Sequence, residues 1–228
     1  MLSKILDGKP FEEAVKLRGY KMNKSRNVNR LVKISLLVAM AFVLMLFDFP
    51  IPGFPPFLKF DLSDLPALIG GFALGPIAGV VIEGGKVLLN LLFTGSSTGG
   101  VGEIANFIIG SSFVWTAAVI YHSKKNKKSA LIGLAVGTII MTIVGAVFNY
   151  FILIPLYATM YGGMGVIINM SAEGNSAIAS LAGIIIIGIT PFNILKGLVV
   201  SVITFVSYKK VAPLINKENL NINQQPAR

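Results

Sequence analysis

From Ile178 to Tyr208 the chain runs for 31 residues with one charged side chain, Lys196. A bilayer core about 30 Å thick is crossed by roughly 20 apolar residues of helix, and a spanning segment must satisfy its own backbone. A run of this length therefore commits the chain to helices in lipid. As one helix it would extend about 46 Å at 1.5 Å per residue. We expect it to divide near Gly188-Ile189-Thr190-Pro191 into a short re-entrant or interfacial piece and a full span holding Asn193 and Lys196.

The lysine is the second constraint. A cation at membrane depth costs on the order of 2.5–3.5 kcal/mol on insertion scales, so a buried carboxylate, backbone carbonyls or a polar ligand must compensate it. Asn193 and Lys196 stand three residues apart and share a helix face, and Pro191 suits a first helical turn. The group reads either as the wall of a binding site or as a lysine that snorkels from a helix end.

The rest of the chain repeats the apolar theme. Of 228 residues, 54% are hydrophobic and 13% charged, with a mean hydropathy of +0.75, outside the range of soluble domains. We expect an all-α bundle of six transmembrane helices. The spans are residues 31–47, a brief helix opening at Asp61 or Ser63 with Pro66 in its first turn, residues 77–93 after the Leu74-Gly75-Pro76 break, residues 103–121, residues 131–157, and the one holding Lys196. Residues 48–56, with four prolines and a glycine, form an extended aromatic loop. Residues 94–102 form a polar turn, and 161–175 a glycine-rich connection.

Cations fix the expected orientation. Lys21, Lys24, Arg26, Arg30 and Lys33 precede the first span, Lys124, Lys125, Lys127 and Lys128 separate the fourth from the fifth, and Lys209 and Lys210 follow the sixth. With six spans these groups share one side, the cytoplasm, which takes both termini. Lys59 is the one cation among the opposite segments. The expected organisation is an N-terminal cytoplasmic extension over residues 1–30, a binding domain over 31–210 and a cytoplasmic tail over 211–228. Leu2, Ile5, Leu6, Phe11, Val15 and Leu17 offer a short surface helix broken by Gly8 and Pro10. No signal-peptide cleavage site follows the first apolar run, and Met22 would serve equally as a start.

Several functions are excluded. The net charge of +10 belongs to membrane flanks rather than to nucleic-acid binding. Without cysteine there is no thiolate chemistry, and the single histidine, His122, sits by the lysine cluster. Gly84-Gly85-Lys86 resembles a phosphate loop, but Val80 replaces the first glycine and Val87 the required serine or threonine. Energy must come from a partner.

Glu83, Lys86 and Asn90 share one face of the third span. They form either a local ion pair or the wall of a polar pocket in which Glu83 compensates Lys196. Asn149 offers donors and an acceptor beside Tyr150 and Phe151, whose rings serve as interfacial anchors or as stacking faces. Asn106 is a weaker candidate of the same kind. Ser35 and Ala39, small and four apart, permit close approach of another helix. A membrane enzyme using Glu83 and Lys86, or a purely structural subunit, are the competing classes.

Several stretches together resemble the riboflavin-specific substrate-binding subunit, the S component, of energy-coupling factor vitamin transporters. They are Phe57-Leu58-Lys59-Phe60-Asp61-Leu62-Ser63-Asp64-Leu65-Pro66-Ala67-Leu68, Gly75-Pro76-Ile77-Ala78-Gly79 leading to Glu83 and Asn90, and Gly102-Glu103-Ile104-Ala105-Asn106-Phe107. Phe148-Asn149-Tyr150 and Pro191-Phe192-Asn193-Ile194-Leu195-Lys196-Gly197 complete the set. The resemblance implies capture of riboflavin from outside and delivery with a transmembrane coupling protein and two cytoplasmic ATPases. It leaves open whether flavin mononucleotide is accepted, and another small vitamin is the alternative ligand. It implies that Asn149, Asn193 and Lys196 bind the flavin, with Glu83 on the ribityl side, Asn90 among the substrate-binding residues, and the backbone around Phe57, Leu58 and Lys59 covering the ring. It makes Ser35 and Ala39 a docking pair in which serine replaces the family's first alanine. No cofactor or metal is implied; riboflavin is cargo.

Overall fold

A computed structural model of the chain describes residues 9–96 and 98–221. The helices are α1 (Lys9–Met45), α2 (Asp64–Leu74), α3 (Pro76–Thr94), α4 (Val101–Lys124), α5 (Lys127–Phe148), α6 (Ile154–Met160), α7 (Met164–Gly174), α8 (Leu181–Gly183) and α9 (Thr190–Asn221). Between α1 and α2 a two-residue antiparallel ribbon pairs β1 (Phe49–Pro50) with β2 (Lys59–Phe60). Among the described residues, five helical stretches are long and apolar enough to cross a membrane: Asn27–Met45, Pro76–Thr94, Val101–Lys124, Lys127–Met160 and Leu181–Tyr208. The helix Asp64–Leu74 is shorter.

Small residues let these helices approach. A Cβ on Gly133 would lie 2.6 Å from the Ala117 carbonyl oxygen, and one on Gly137 would lie 2.9 Å from the Phe113 ring, so α4 and α5 meet backbone to backbone. Their joint is tight. Lys125 takes a left-handed conformation at φ 46°, and Asn126 and Ser129 cap α5 reciprocally. One apolar core gathers Leu68, Phe72, Ile82, Phe113, Leu134 and Met141; a second gathers Ile154, Ile167, Ile178, Ile184 and Ile189. Outside, Leu36, Leu92, Ile139, Ile186 and Val202 stay exposed, as lipid-facing side chains do.

Four expectations change. The 178–208 run is not divided: helix is continuous from Leu181, and the turn widens to a π segment over Ile184–Ile189 just before Pro191. A second π segment, Asn149–Leu153, precedes Pro155. Proline lacks the N–H for an i−4 bond and its ring presses on the preceding turn, so a wider turn ahead of it keeps the helix unbroken. Residues 161–175 are not mere connection, because Gly163, at φ 118°, opens α7. Asp61 and Ser63 do not cap α2: its first residue is Asp64, and Ser63 at the cap position accepts no bond from the helix. Finally, α1 runs unbroken from Lys9 through the expected boundary at residue 30, and α9 runs past 210 to Asn221. The expected surface helix begins in residues 1–8, outside the described residues.

Candidate binding cavity

The chain between α1 and α2 folds back over the bundle. Its proline-rich stretch rests on the end of α7, where Gly174 abuts the Phe54 carbonyl and Asn175 donates to the Gly53 carbonyl. Beneath it lies a cavity of about 610 Å³, within the range of small-molecule sites. Its wall draws on the C-terminal ends of α1 and α3, the N-terminal end of α4, the α5–α6 π segment, α7 and α9. The cavity thus occupies the end of the bundle opposite the Lys124–Lys128 turn.

Asn193 and Lys196 project from the first turns of α9, and Asn149 from the π segment, all into this space. Asn149 and Leu153, four apart, share a face on the wall, and the π turn rotates the residues after it so that Tyr157 and Tyr161 follow on the same wall. Asn149 Nδ2 donates to the Gly145 carbonyl at 2.8 Å, fixing its amide. Asn193 lies against the same glycine, since a Cβ there would come within 2.6 Å of its Nδ2. We expect Gly145→Ala to push Asn193 out of place and weaken ligand binding about tenfold, roughly the value of one lost hydrogen bond. Binding to the purified variant, with its thermal midpoint as control, checks this.

Asn90, Phe57, Leu58 and Lys59 also line the cavity, as do Asn106 and Glu103. Lys59 is exposed at the rim and pairs with Asp48 at 3.2 Å. Tyr150 and Phe151 are not on the wall: they meet edge-on, with ring centroids 4.9 Å apart, at the exposed surface, with 41% and 69% of their area accessible. The aromatic faces inside belong to Phe57, Tyr157, Tyr161 and Phe192. Phe57 meets Tyr157 edge-on at 6.3 Å, and Tyr157 meets Tyr161 at 6.2 Å.

Lys196 is compensated, but not by Glu83. Its Nζ donates to Asp61 Oδ2 at 2.9 Å and lies 3.4 Å from Asp64 Oδ2. Asp64 also accepts from Lys86, whose Nζ is 2.7 Å from Glu83 Oε2. Five ionic groups therefore form one buried chain: Asp61, Lys196, Asp64, Lys86 and Glu83. Glu83 and Lys86 are fully enclosed, and Glu83 does not line the cavity. Its carboxylate faces Gly110, where a Cβ would come within 2.6 Å of Oε2, and the same oxygen is held by the Lys86 ammonium. The i,i+3 spacing satisfies the pair within α3, so the expected bridge to Lys196 does not form.

At the mouth, Glu103 Oε2 accepts from Ser96 Oγ at 2.8 Å and Thr98 Oγ1 at 3.2 Å, drawing the 94–102 turn to the N-terminus of α4. Gly95, Gly99 and Gly100, at φ 76°, 61° and 90°, give this turn a path that other residues rarely adopt. On α1, Ser35 and Ala39 lie exposed on one face, away from the cavity.

Fold and cavity together define a multi-pass helical membrane protein that encloses a small-molecule site beneath a covering loop. Residues 29–208 match the family described as ECF transporter, substrate-specific component, and the chain belongs to that family. It resides in the cell membrane. It is similar to the riboflavin transporter RibU of Staphylococcus aureus (strain TCH60), with 44% identity over 197 residues, 86% of this chain and 97% of that one. Similarity to the riboflavin transporter FmnP of Bacillus subtilis (strain 168) is 36% over 192 residues, 84% of this chain and 96% of the relative. A solved structure described as "Structure and mechanism of the S component of a bacterial ECF transporter" superposes with a TM-score of 0.65 at 40% identity, covering 83% of this chain and 98% of that one.

Proposed function

We propose that the chain captures riboflavin in this cavity from outside the cell and passes it inward together with an ATP-hydrolysing partner. The observation that carries the ligand is the convergence of two amides, Asn149 and Asn193, with the Lys196 ammonium on a wall that also offers aromatic faces. A flavin ring needs both: flat apolar surface along its faces, donors and acceptors along its polar edge. Relatives carrying the name riboflavin transporter along nearly their whole length support the same ligand over another vitamin. Asn149, Asn193 and Lys196 meet the ring edge, and Asn90 the ribityl chain. Phe57, Leu58 and Lys59 cover the ligand, while Glu83 acts behind the wall by holding Lys86.

The topology we propose has six crossings, with α2 and the segment before it making the short second one. The end of α2 supports this: Arg30, at the start of the first span, donates to the Leu74 carbonyl at 3.1 Å, and His122, at the end of α4, lies 3.0 Å from the Gly71 carbonyl. That end of α2 thus lies with the cation-flanked helix ends, and both termini fall on the cytoplasmic side. The cavity then opens outward. Ser35 and Ala39 on the open face of α1 form the seat for a helix of the coupling protein, and two ATPases bound to that protein supply the energy.

The experiment is competition binding on purified protein. Riboflavin should quench on binding and be displaced by unlabelled riboflavin, but not by thiamine or biotin. Displacement by one of these at equal or lower concentration would assign the site to another vitamin. Flavin mononucleotide in the same series reports tolerance of the phosphate.

A further inference from the structure

Two carboxylates on the cavity wall, Asp61 and Asp64, have a function that the ligand contacts above do not cover. Asp61 follows directly on β2, at the end of the segment that covers the cavity. Its side chain is buried: Oδ2 accepts from Lys196, and Oδ1 accepts from the Ser63 N–H at 2.7 Å, so the carboxylate is held at both oxygens. Asp64, three residues on, reaches the same ammonium from the first turn of α2 and is itself held by Lys86. The lysine is thus gripped from one side by two acids, each fixed by a further partner.

We propose that Asp61 is a positioning residue for ligand recognition: with Asp64 as second tether, it sets the Lys196 ammonium at the cavity wall and ties the covering segment to α9 through the same contact. An ammonium has three N–H donors. Asp61 accepts from one and Asp64 lies 3.4 Å from the nitrogen as an ion-pair partner, so an N–H remains for an acceptor on the ligand. A lysine side chain without such tethers samples many rotamers, and its charge would settle against whichever carboxylate is nearest rather than at the ring edge. The inference rests on the reading of Lys196 as a ligand contact. It adds that the contact is made at Asp61, on a different segment from the lysine, so the cover and the ligand-facing charge are set together.

Because Asp61 acts through Lys196, its effect on affinity should vanish once the lysine is gone. The test titrates purified protein with riboflavin by fluorescence quenching for wild type, Asp61→Asn, Lys196→Gln and the double variant. Asp61→Asn should weaken binding about tenfold or more, the scale of a charge-assisted hydrogen bond. The double variant should bind no more weakly than Lys196→Gln alone, the non-additivity expected of residues acting through one contact. Thermal unfolding without ligand separates positioning from a merely structural role. Asp61→Asn leaves the buried ammonium with Asp64 alone and lowers the midpoint, whereas the double variant removes both charges and recovers it. Recovered stability without recovered affinity supports the proposal.

Wild-type affinity in Asp61→Asn would overturn it, as would a double variant weaker than Lys196→Gln by the full factor lost in Asp61→Asn. Should Asp61→Asn not accumulate, the comparison of the double variant with Lys196→Gln still decides between equal affinity and a further loss. Wild-type affinity in Lys196→Gln would instead overturn the site on which the proposal rests.

Discussion

Replacing Lys86 by methionine should abolish accumulation of folded protein. Lys86 is fully enclosed and lies between Asp64 and Glu83, so its loss leaves Glu83 with no cation and Asp64 with Lys196 alone at 3.4 Å. Removing one partner from a buried pair costs about 3–5 kcal/mol, because the remaining charge stays dehydrated and uncompensated. Total stabilities are of the order of 5–15 kcal/mol, so the variant should be marginal at growth temperature. Within a bilayer no hydrophobic force drives helix against helix, which makes a stranded charge harder to offset. Adding Glu83→Gln to Lys86→Met should recover part of the loss, since one uncompensated carboxylate is then neutral. Yield and thermal midpoint in detergent check both statements. A Lys86→Met protein that is monodisperse with a wild-type midpoint would mean that the ion chain contributes nothing to the fold.

The second large effect is on ligand. Lys196→Gln should reduce riboflavin affinity by about 100-fold, toward the upper end for a hydrogen bond from a charged donor. Glutamine is shorter and uncharged, so it neither reaches as far into the cavity nor holds Asp61 and Asp64 in place. Loss of the lysine also releases the covering segment, since Asp61 joins it to α9. The unfolding midpoint should fall as well, but by less than in Lys86→Met, because Asp64 keeps Lys86 as a partner. Equilibrium titration by fluorescence, run beside the unfolding curve, separates the two effects. Unchanged affinity in a folded variant would remove Lys196 from the site.

Much of this was legible in the residues. The helix ends near Leu74-Gly75-Pro76 and the lysine cluster follow from proline, glycine and charge placement, all local signals. The need to compensate Lys196 was also legible as one of two readings, because a lone cation in 31 apolar residues either finds a partner or snorkels to the interface. Its partners were not. Asp61 and Asp64 read locally as the start of a helix, where acids are common, and the contact of Asp61 with Lys196 spans 135 positions. The usable signal was a pair of acids three apart leading into an apolar helix that itself carries no cation. The Glu83–Lys86 pair shows the converse: its spacing allowed a local solution, and the local solution is the one adopted.

Of the two readings of Tyr150 and Phe151, their exposure fits the interfacial anchors rather than the stacking faces, for a geometric reason. Tyr150 and Phe151 adjoin Asn149 in sequence, but a helix separates neighbours by about 100°, so only one of the three can face inward. Tyr157 and Tyr161 lie seven and eleven residues after Tyr150 and return to the inner face through the π segment. No periodicity rule anticipates a π turn, although the proline that follows each one is a visible hint.

The central claim is that a buried cavity carrying Asn149, Asn193 and Lys196 holds riboflavin. The most direct measurement is an equilibrium titration of the purified full chain with riboflavin, followed by flavin fluorescence. The account predicts saturable quenching at one flavin per chain, lost when Asn193 and Lys196 are replaced together in a protein that still folds. No quenching by the wild-type chain, or equal quenching by that double variant, would contradict it.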